Sequence, residues 1–212
     1  MAPNVQGLEL EAAGVAYDDA RGIPVDDFLR TTNPRIFAAG DVCGGNKFPH
    51  IESAAGRIIV ANALFLGRRR LSAEAIPWCN FTDPEIAHVG MYVTEARRKN
   101  IPVKTFTILM HEVDRAITDG EEEGFVKVHV REGTGKILGA TVVASHAGDL
   151  INEISLAISA GLDLRTLARV NQPYPTQSQA IKMAASAYVA SRRTSFHTWL
   201  MTKWLSWWRA CR

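Results

Sequence analysis

A short apolar run that ends in a Gly-Asp pair is the most specific chemical feature of the sequence. It lies in TTNPRIFAAGDV, residues 31–42, and we interpret the IFAAG part, residues 36–40, as a buried strand. Gly40 allows a ligand to approach the backbone closely, and the Asp41 carboxylate can accept hydrogen bonds from sugar-like hydroxyl groups. Open α/β sheets bind ligands at the carboxyl ends of their strands, so the pair predicts a ligand site. The alternative is an ordinary turn at the end of a strand.

A helix is predicted directly after this pair, over IESAAGRIIVANALFLG, residues 51–67. It opens near Pro49 and His50, so the amides of its first turn point at the region of Asp41, where they can hold an anion or an electronegative edge. Gly67 is the expected end of the helix. Apolar residues recur at helical spacing on one face: Ala54, Ile58, Ala61, Leu64 and Phe65.

The loop NQPYPTQSQA places a tyrosine between two prolines, directly before a helix that we predict to begin at Thr176. Thr176 and Gln179 have the spacing of a capping box, in which the threonine oxygen and the glutamine amide satisfy backbone donors of the first turn. A phenol with an ordinary pKa of about 10 is a poor proton shuttle at neutral pH but a usable hydrogen-bond donor. Tyr174 is therefore either a substrate contact or a packing residue of the loop.

The cysteines and histidines predict neither a metal site nor a local redox dithiol. Cys43, Cys79 and Cys211 are far apart, and no C-x-x-C or C-x-x-x-x-C pattern occurs. We interpret Cys43 and Cys79 as packing residues. A sparse, odd cysteine count fits a reducing compartment, so we predict a cytoplasmic protein. The histidines without metal-ligand spacing, interpreted as surface or satisfied core residues, are His88, His111, His129, His146 and His197.

Composition and charge exclude several classes of protein. The chain has 212 residues, of which 47% are hydrophobic and 22% are charged, as in ordinary soluble globular proteins. The formal net charge of +2 gives no reason to expect a nucleic-acid partner. No run of about 20 apolar residues predicts a membrane span. The start MAPNVQGLEL lacks the basic and apolar segments of a signal peptide.

The pattern changes after the basic stretch RRRLSAEA, and we place a domain boundary there, between residues 72 and 73. IAHVGMYV predicts a strand, and TEARRKN predicts a short helix with Thr94 as its N-cap. VKTFTILM, GFVKVHV and KILGATVVA predict three more strands, and AGDLINEISLAISAG predicts a helix over residues 147–161. Strands followed by helices in one block predict an α+β domain over residues 73–190.

The last segment, residues 191–212, is rich in tryptophan and basic residues. Residues 192–212 hold four of the five tryptophans and five basic residues but no acid. This composition is typical of an amphipathic helix that lies in a membrane interface, which predicts a possible membrane surface as partner. The alternative is a helix that packs on a partner subunit or on a domain outside this chain. The apolar positions at helical spacing are Phe196, Trp199, Leu200, Trp204, Trp207 and Trp208.

Four segments, in order, resemble the pyridine nucleotide–disulfide oxidoreductases, the family of dihydrolipoamide dehydrogenase, glutathione reductase and mercuric reductase. TTNPRIFAAGDV is similar to the family's second flavin-contacting motif, and IPWCNFTDPEIAHVGMYVTEA is similar to the start of its dimerisation domain. DRAITDGEEEGFVKVHV and KILGATVVASHAGDLINEISLAI resemble the central strands and first long helix of that domain. YPTQSQA lies where the family carries its His-Pro-Thr-x-Ser-Glu signature.

The resemblance implies an α+β fold in which an antiparallel sheet with helices follows the C-terminal part of an FAD-binding α/β domain. Residues 1–72 would complete the FAD domain and residues 73–190 would form the dimerisation domain. FAD would be the cofactor and NAD(P)H the co-substrate. The protein would be a homodimer whose active sites are shared between subunits.

Site residues also follow from the resemblance. Gly40 and Asp41 would bind the flavin, with the aspartate on its ribityl chain, and Tyr174 would face the partner subunit's reaction site. The backbone that would face the flavin ring edge belongs to Phe48, Pro49 and His50. The family's G-x-G-x-x-G, its C-x-x-x-x-C disulfide and its nicotinamide domain are missing, so the N-terminal half of the same enzyme is an expected partner.

The signature itself is altered, with Tyr174 in the place of the family's histidine and Gln179 in the place of its glutamate. Mercuric reductases are similar in having tyrosine in this region, but they carry a C-terminal cysteine pair, and this tail offers only Cys211. Gln179 is either a helix cap, which we favour, or a catalytic residue. The chain is thus expected to belong to an oxidoreductase nearer mercuric reductase than dihydrolipoamide dehydrogenase.

A non-catalytic module is the alternative function. It would be a dimerisation and membrane-docking unit that has lost its redox chemistry, and the missing motifs and the altered signature favour it. The intact Gly-Asp segment speaks against it, because a scaffold does not need that turn. Sedimentation with liposomes, with and without residues 192–212, separates the two hypotheses.

Overall fold

The structure is a computed structural model that describes residues 3–44, 49–65, 67–192, 199, 202–204, 206 and 208–209. The chain divides into two compact units, unit 1 (Met1–Ile76) and unit 2 (Pro77–Arg212). The predicted boundary after residue 72 lies slightly before this division and stays a prediction of domain limits. Each unit has its own apolar core.

Unit 1 consists mainly of turns and isolated bridges in its described part. The predicted strand over residues 36–40 is wrong for this chain, because Phe37 makes a single antiparallel bridge with Arg30 and no ladder follows. A strand in an α/β sheet needs parallel neighbours, and the described residues of unit 1 offer none. Ala38 is nevertheless buried, in a small cluster with Val5, Val15 and Ile23.

The predicted helix of unit 1 is confirmed as α1, Pro49–Leu64, although it ends three residues before the predicted end at Gly67. Ala55 and Ile58 are buried against Leu29, which fixes one side of the helix. The predicted apolar face is only half correct, because Leu64 and Phe65 at its end are largely exposed. Burial of α1 therefore comes from its first three turns.

Unit 2 is built on a five-stranded antiparallel sheet with the order β1-β2-β5-β4-β3, which confirms the α+β prediction. Alternating residues let one face of the sheet pack while the other is less buried, as the patterns of β3, β4 and β5 predict. The strands are β1 Trp78–Asn80, β2 Glu85–Gly90, β3 Val103–Leu109, β4 Phe125–Arg131 and β5 Ile137–Ala144.

The described residues 77–192 of unit 2 also form five α-helices, and two of them cover the apolar face of the sheet. α4 packs on β2 and β5 through Ile151, Ile154 and Ala157, and α6 packs on β3 and β4. The prediction that Thr94 caps α2 is wrong, since the helix begins at Val93 and its N-cap is Tyr92, two residues before Thr94. The helices are α2 Val93–Arg98, α3 Asp114–Asp119, α4 Ala147–Ser159, α5 Leu164–Arg169 and α6 Gln179–Ser191.

The opposite face of the sheet carries two buried histidines, both with hydrogen-bond partners. His88 Nδ1 lies 2.9 Å from the Thr141 hydroxyl and its Nε2 lies 3.1 Å from the Gly90 carbonyl oxygen. His129 Nδ1 lies 2.9 Å from the Thr105 hydroxyl. Burial, with smaller effects of His88 and Lys127, lowers the pKa of His129 to about 4. These are satisfied core histidines, as the sequence predicts.

The buried His129 predicts a loss of stability in mild acid. An imidazole with a folded pKa of about 4 and an unfolded pKa of about 6.5 binds its proton mainly in the unfolded chain. Its contribution is present above pH 6.5 and is lost as the pH falls from 6.5 to 4, by about 3 kcal/mol in all. Urea unfolding followed by circular dichroism between pH 7.5 and 4 measures this loss.

The variant His129→Gln keeps a hydrogen-bonding group opposite Thr105 but cannot titrate. It is expected to flatten the pH profile in this window relative to wild type. Equal slopes in wild type and variant would show that other groups control acid stability.

Most of the tryptophan-rich tail lies outside the described residues, including Phe196, Leu200, Trp207 and Cys211. Trp199, Trp204 and Trp208 are described, and all three are exposed. None of the described helices combines the length and the apolar character needed to cross a bilayer. The interfacial role of the tail stays a prediction.

Candidate functional site

The Gly-Asp pair forms a tight turn rather than the end of a strand. Gly40 has a φ of 83°, and Asp41–Cys43 form one turn of 3-10 helix that ends at Gly44, with a φ of 68°. Both values lie in the left-handed region, which only glycine adopts without strain. The turn leaves the Asp41 side chain exposed, with its carboxylate available to a ligand.

A hairpin-like segment at residues 18–23 holds this turn in place. The Ile23 amide donates to the Val42 carbonyl oxygen at 2.8 Å. A side chain at Gly22 would collide with that same oxygen, and one at Gly44 would collide with the Arg21 carbonyl oxygen. Close backbone contact on both sides therefore fixes the turn, and this contact requires both glycines.

Cys43 closes the turn on its inner side. The thiol is half-buried against the apolar cluster of unit 1, and burial raises its pKa. A thiol with a raised pKa is a poor nucleophile, so Cys43 acts as a packing residue here. In unit 2, Cys79 on β1 is also partly buried, and burial together with Glu85 raises its pKa.

The start of α1 lies next to the turn, as the sequence predicts. Pro49 is the first residue of α1, and both Pro49 and His50 are exposed, while Phe48 falls outside the described residues. Glu52, in the first turn of the helix, reaches Gly40, where a Cβ atom would lie 3.2 Å from Glu52 Oε1. The structure thus brings Gly40, Asp41 and the start of α1 into one corner of unit 1.

The tyrosine loop belongs to unit 2, where Tyr174 projects outward and is 71% exposed. The Tyr174–Pro175 peptide bond is cis. The Tyr174 hydroxyl donates a hydrogen bond to Asp114 Oδ2, on the first residue of α3, at 2.9 Å. This hydrogen bond, with the negative charge of Asp114, raises the pKa of Tyr174 above its usual value.

The predicted capping box is wrong. The N-cap of α6 is Ser178, and no side chain caps the helix. The Thr176 hydroxyl lies 3.1 Å from the Pro173 carbonyl oxygen and 3.0 Å from the Ser178 hydroxyl, so it is occupied within the loop. Gln179 Oε1 is buried and has no hydrogen-bond partner among the described residues, so within this part of the chain it neither caps the helix nor bonds Tyr174.

The loop is tied to the rest of unit 2 by contacts that the sequence analysis missed. Gln177 is buried and donates from Nε2 to Glu121 Oε2 at 2.7 Å, and the Ser145 hydroxyl donates to the same carboxylate. Gln172 donates from Nε2 to both carboxylate oxygens of Glu153 on α4, at 3.0 and 3.2 Å. The hydrogen bonds from Ser145 and Gln177 lower the pKa of Glu121.

No sequence signal connects these groups, because each partner lies at least 19 positions away in the chain. In the sequence, Asp114 and Glu121 look like surface acids around a turn. Gln177 looks like a loop residue without a specific role. The predicted site residues fall into two sets, the flavin-type turn in unit 1 and the tyrosine loop in unit 2.

Comparisons with known proteins bear on both units. The family model of the pyridine nucleotide-disulphide oxidoreductase dimerisation domain matches residues 76–185, and the model of the pyridine nucleotide-disulphide oxidoreductases matches residues 1–58. A mercuric reductase from Streptomyces lividans is 40% identical over 184 residues, which are 87% of this chain and 39% of that protein. A dihydrolipoyl dehydrogenase from Chlamydia trachomatis is 35% identical over 88% of this chain and 40% of its own length.

Solved structures show the same likeness. LpdA from Mycobacterium tuberculosis is 31% identical with a TM-score of 0.81, over 88% of this chain and 41% of its own. The HOCl-induced flavoprotein disulfide reductase RclA from Escherichia coli is 28% identical with a TM-score of 0.77, over 87% of this chain and 43% of its own. The chain spans about two fifths of the length of these relatives, and it belongs to the pyridine nucleotide–disulphide oxidoreductase family.

Proposed function

We propose that this chain is the C-terminal part of an FAD-dependent, NAD(P)H-linked oxidoreductase whose electron acceptor is a metal ion rather than a disulfide. The enzyme works as a homodimer, and Tyr174 of one subunit faces the reaction site of the other. Residues 1–72 belong to the FAD domain and residues 73–190 to the dimerisation domain. A name shared by several relatives, mercuric reductase, supports a metal-ion acceptor.

The hydrogen bond from Tyr174 to Asp114 is the observation that carries this proposal. Reduction of a disulfide to two thiols consumes protons, which calls for a group that titrates near neutral pH. The Tyr174 phenol has a raised pKa and its single proton is held by Asp114, so it cannot fill that role. Two-electron reduction of a metal ion to the metal consumes no proton, and an oxygen lone pair is sufficient to contact the cation.

The corner of unit 1 fits the flavin that the family implies. Gly40 has no side chain and shapes the turn, with Glu52 packed beside it, and the exposed Asp41 carboxylate can accept hydrogen bonds from ribityl hydroxyl groups. The His50 backbone N–H lies in the first turn of α1, which begins at Pro49, and the helix dipole there favours electronegative atoms. When bound, FAD supplies the electron relay between the nicotinamide and the acceptor.

The test uses the enzyme encoded by the complete reading frame, purified with its flavin. We expect NAD(P)H to bleach the flavin and Hg(II) to sustain NAD(P)H oxidation, whereas lipoamide and glutathione disulfide react slowly. Replacing Tyr174 by histidine restores a neutral-range proton donor and is expected to raise disulfide reduction about 10²-fold.

Tyr17→His is the matched control, because Tyr17 is also exposed and also donates to a carboxylate, that of Glu11. It lies in unit 1 and is expected to leave both activities unchanged. A flavin that NAD(P)H does not bleach would overturn the oxidoreductase assignment. Wild-type disulfide reduction as fast as metal reduction would overturn the choice of acceptor.

A further inference from the structure

The loop that carries Tyr174 is fastened by three carboxylates from outside the loop. Gln172, Tyr174 and Gln177 each donate a hydrogen bond to an acid on a different part of unit 2. Such charge-assisted bonds are shorter and stronger than neutral ones. We name this arrangement the carboxylate clasp, formed by Glu153, Asp114 and Glu121.

Two members of the clasp frame the short helix α3. Asp114 is its first residue, and Glu121 follows just after its end at Gly120. Asp114 holds the exposed tip of the loop through the Tyr174 hydroxyl, and Glu121 holds its buried base through Gln177. α3 and the loop are therefore joined at both ends of the helix.

The base of the clasp is partly shielded from water. Gln177 is 9% exposed, and its amide lies among Glu121, Ser145 and Asp119. Asp119 is paired with Arg115 at 2.7 Å, which neutralises part of the negative charge. A shielded, charge-assisted bond fixes geometry better than an exposed one, because water competes less for its partners.

We infer that Asp114 and Glu121 are positioning residues of Tyr174: Glu121 fixes the base of its loop through Gln177, and Asp114 holds its hydroxyl proton, so that the phenol presents an oxygen lone pair outward. Asp114 thereby takes over the orienting task at position 174, which Gln179 does not perform because its Oε1 bonds none of the described residues. The functional meaning of this arrangement rests on the proposed function of Tyr174, whereas the arrangement itself does not.

The hydrogen bond can be tested in this chain without any activity assay. Protein labelled with 13C at the tyrosine Cζ atoms gives four signals, and Tyr174→Phe identifies the one from Tyr174. Titration of that signal reports the pKa of Tyr174. Asp114 is the charged group that acts on this pKa, and neighbouring Arg115 is bonded to Asp119 instead.

We expect Asp114→Asn to lower the pKa of Tyr174 and to shift its 13C signal at pH 7. Asp149→Asn is the matched control, since Asp149 is an exposed acid in the first turn of another helix, α4. The control loses the same kind of helix-dipole interaction and should leave the Tyr174 signal unchanged. An unchanged pKa of Tyr174 in Asp114→Asn would overturn the inference.

A second readout separates positioning from the proposed function. In the complete enzyme, Asp114→Asn is expected to lower kcat for Hg(II) about tenfold with little change in KM for NAD(P)H, and Asp114→Glu should recover part of the loss. If Asp114→Asn changes the pKa of Tyr174 but leaves kcat unchanged, the positioning role is overturned, because the reaction then does not depend on the orientation of Tyr174. An enzyme inactive toward metal ions even as wild type would overturn the proposed function and leave the hydrogen-bond result intact.

Discussion

Alanine in place of Gly124 is expected to destabilise unit 2 by about 2–6 kcal/mol, the sum of backbone strain and overpacking at about 1–3 kcal/mol each. Gly124 directly precedes β4 and has a φ of +113°, where residues with a side chain are strained. A Cβ atom there would also overlap the Val143 carbonyl oxygen of β5. The loss is large against the 5–15 kcal/mol that holds an ordinary domain together. Urea unfolding at pH 7.5 measures it.

Gly120→Ala is the matched control, because Gly120 lies in the same turn and also has a positive φ, +72°. No atom lies within 4 Å of the position its Cβ would take, so only the strain of the left-handed conformation remains, about 1–2 kcal/mol. Equal losses in the two variants would contradict the steric explanation. Both glycines flank Glu121, so Gly124→Ala should also loosen the tyrosine loop.

The sheet of unit 2 could be predicted because the apolar or polar character of its residues follows whether each position is buried or exposed. In β3, for example, Phe106 and Ile108 are buried while Thr105 and Thr107 are exposed, and this alternation is the signal that predicts a strand. The same holds for α4, whose buried face repeats every three to four residues. When one side of a helix or strand is buried, apolar residues recur in the local sequence with the period of that element.

Two local signals in the sequence are misleading for a common reason. IFAAG has the composition of a buried strand, but a strand exists only with neighbours, and the described part of unit 1 supplies none in parallel. Thr176 has the spacing of a cap, but its hydroxyl is occupied by Pro173 and Ser178, and the helix starts later. In both cases the outcome depends on which other groups the segment contacts, and the local sequence pattern does not show those contacts.

The tyrosine site shows the same limit at longer range. The pattern of residues 171–179 predicts a loop that presents Tyr174, and this is what the structure has. Its partner Asp114 lies 60 positions earlier in the chain, and Gln177 reaches 56 positions back to Glu121. Acids such as Asp114 and Glu121 look exposed in the sequence, and the hydrogen bonds that they accept produce no periodic pattern. Only the structure therefore identifies these two acids as partners of the loop.

Glutamate in place of Gln177 is expected to destabilise unit 2 by about 2–4 kcal/mol at pH 7. The substitution removes the hydrogen bond that Gln177 donates to Glu121, and a bond to a charged group contributes about 1.5–3 kcal/mol. It also places a second carboxylate beside Glu121 and Asp119 in a partly shielded position, where like charges repel. His146 and Arg115 offset only part of this charge.

The destabilisation by Gln177→Glu should depend on pH in a defined direction. The pair of carboxylates in the folded variant holds a proton more tightly than an unfolded glutamate with a pKa of about 4.3. The folded state then binds more protons, so the variant loses stability as the pH rises above about 4.3 and approaches wild type as the pH falls toward it. Gln6→Glu, on the exposed surface of unit 1, is the control and should stay within about 0.5 kcal/mol of wild type. A gap between Gln177→Glu and wild type that is the same at pH 5 and pH 8 would mean that shape, not shared charge, holds the base of the clasp.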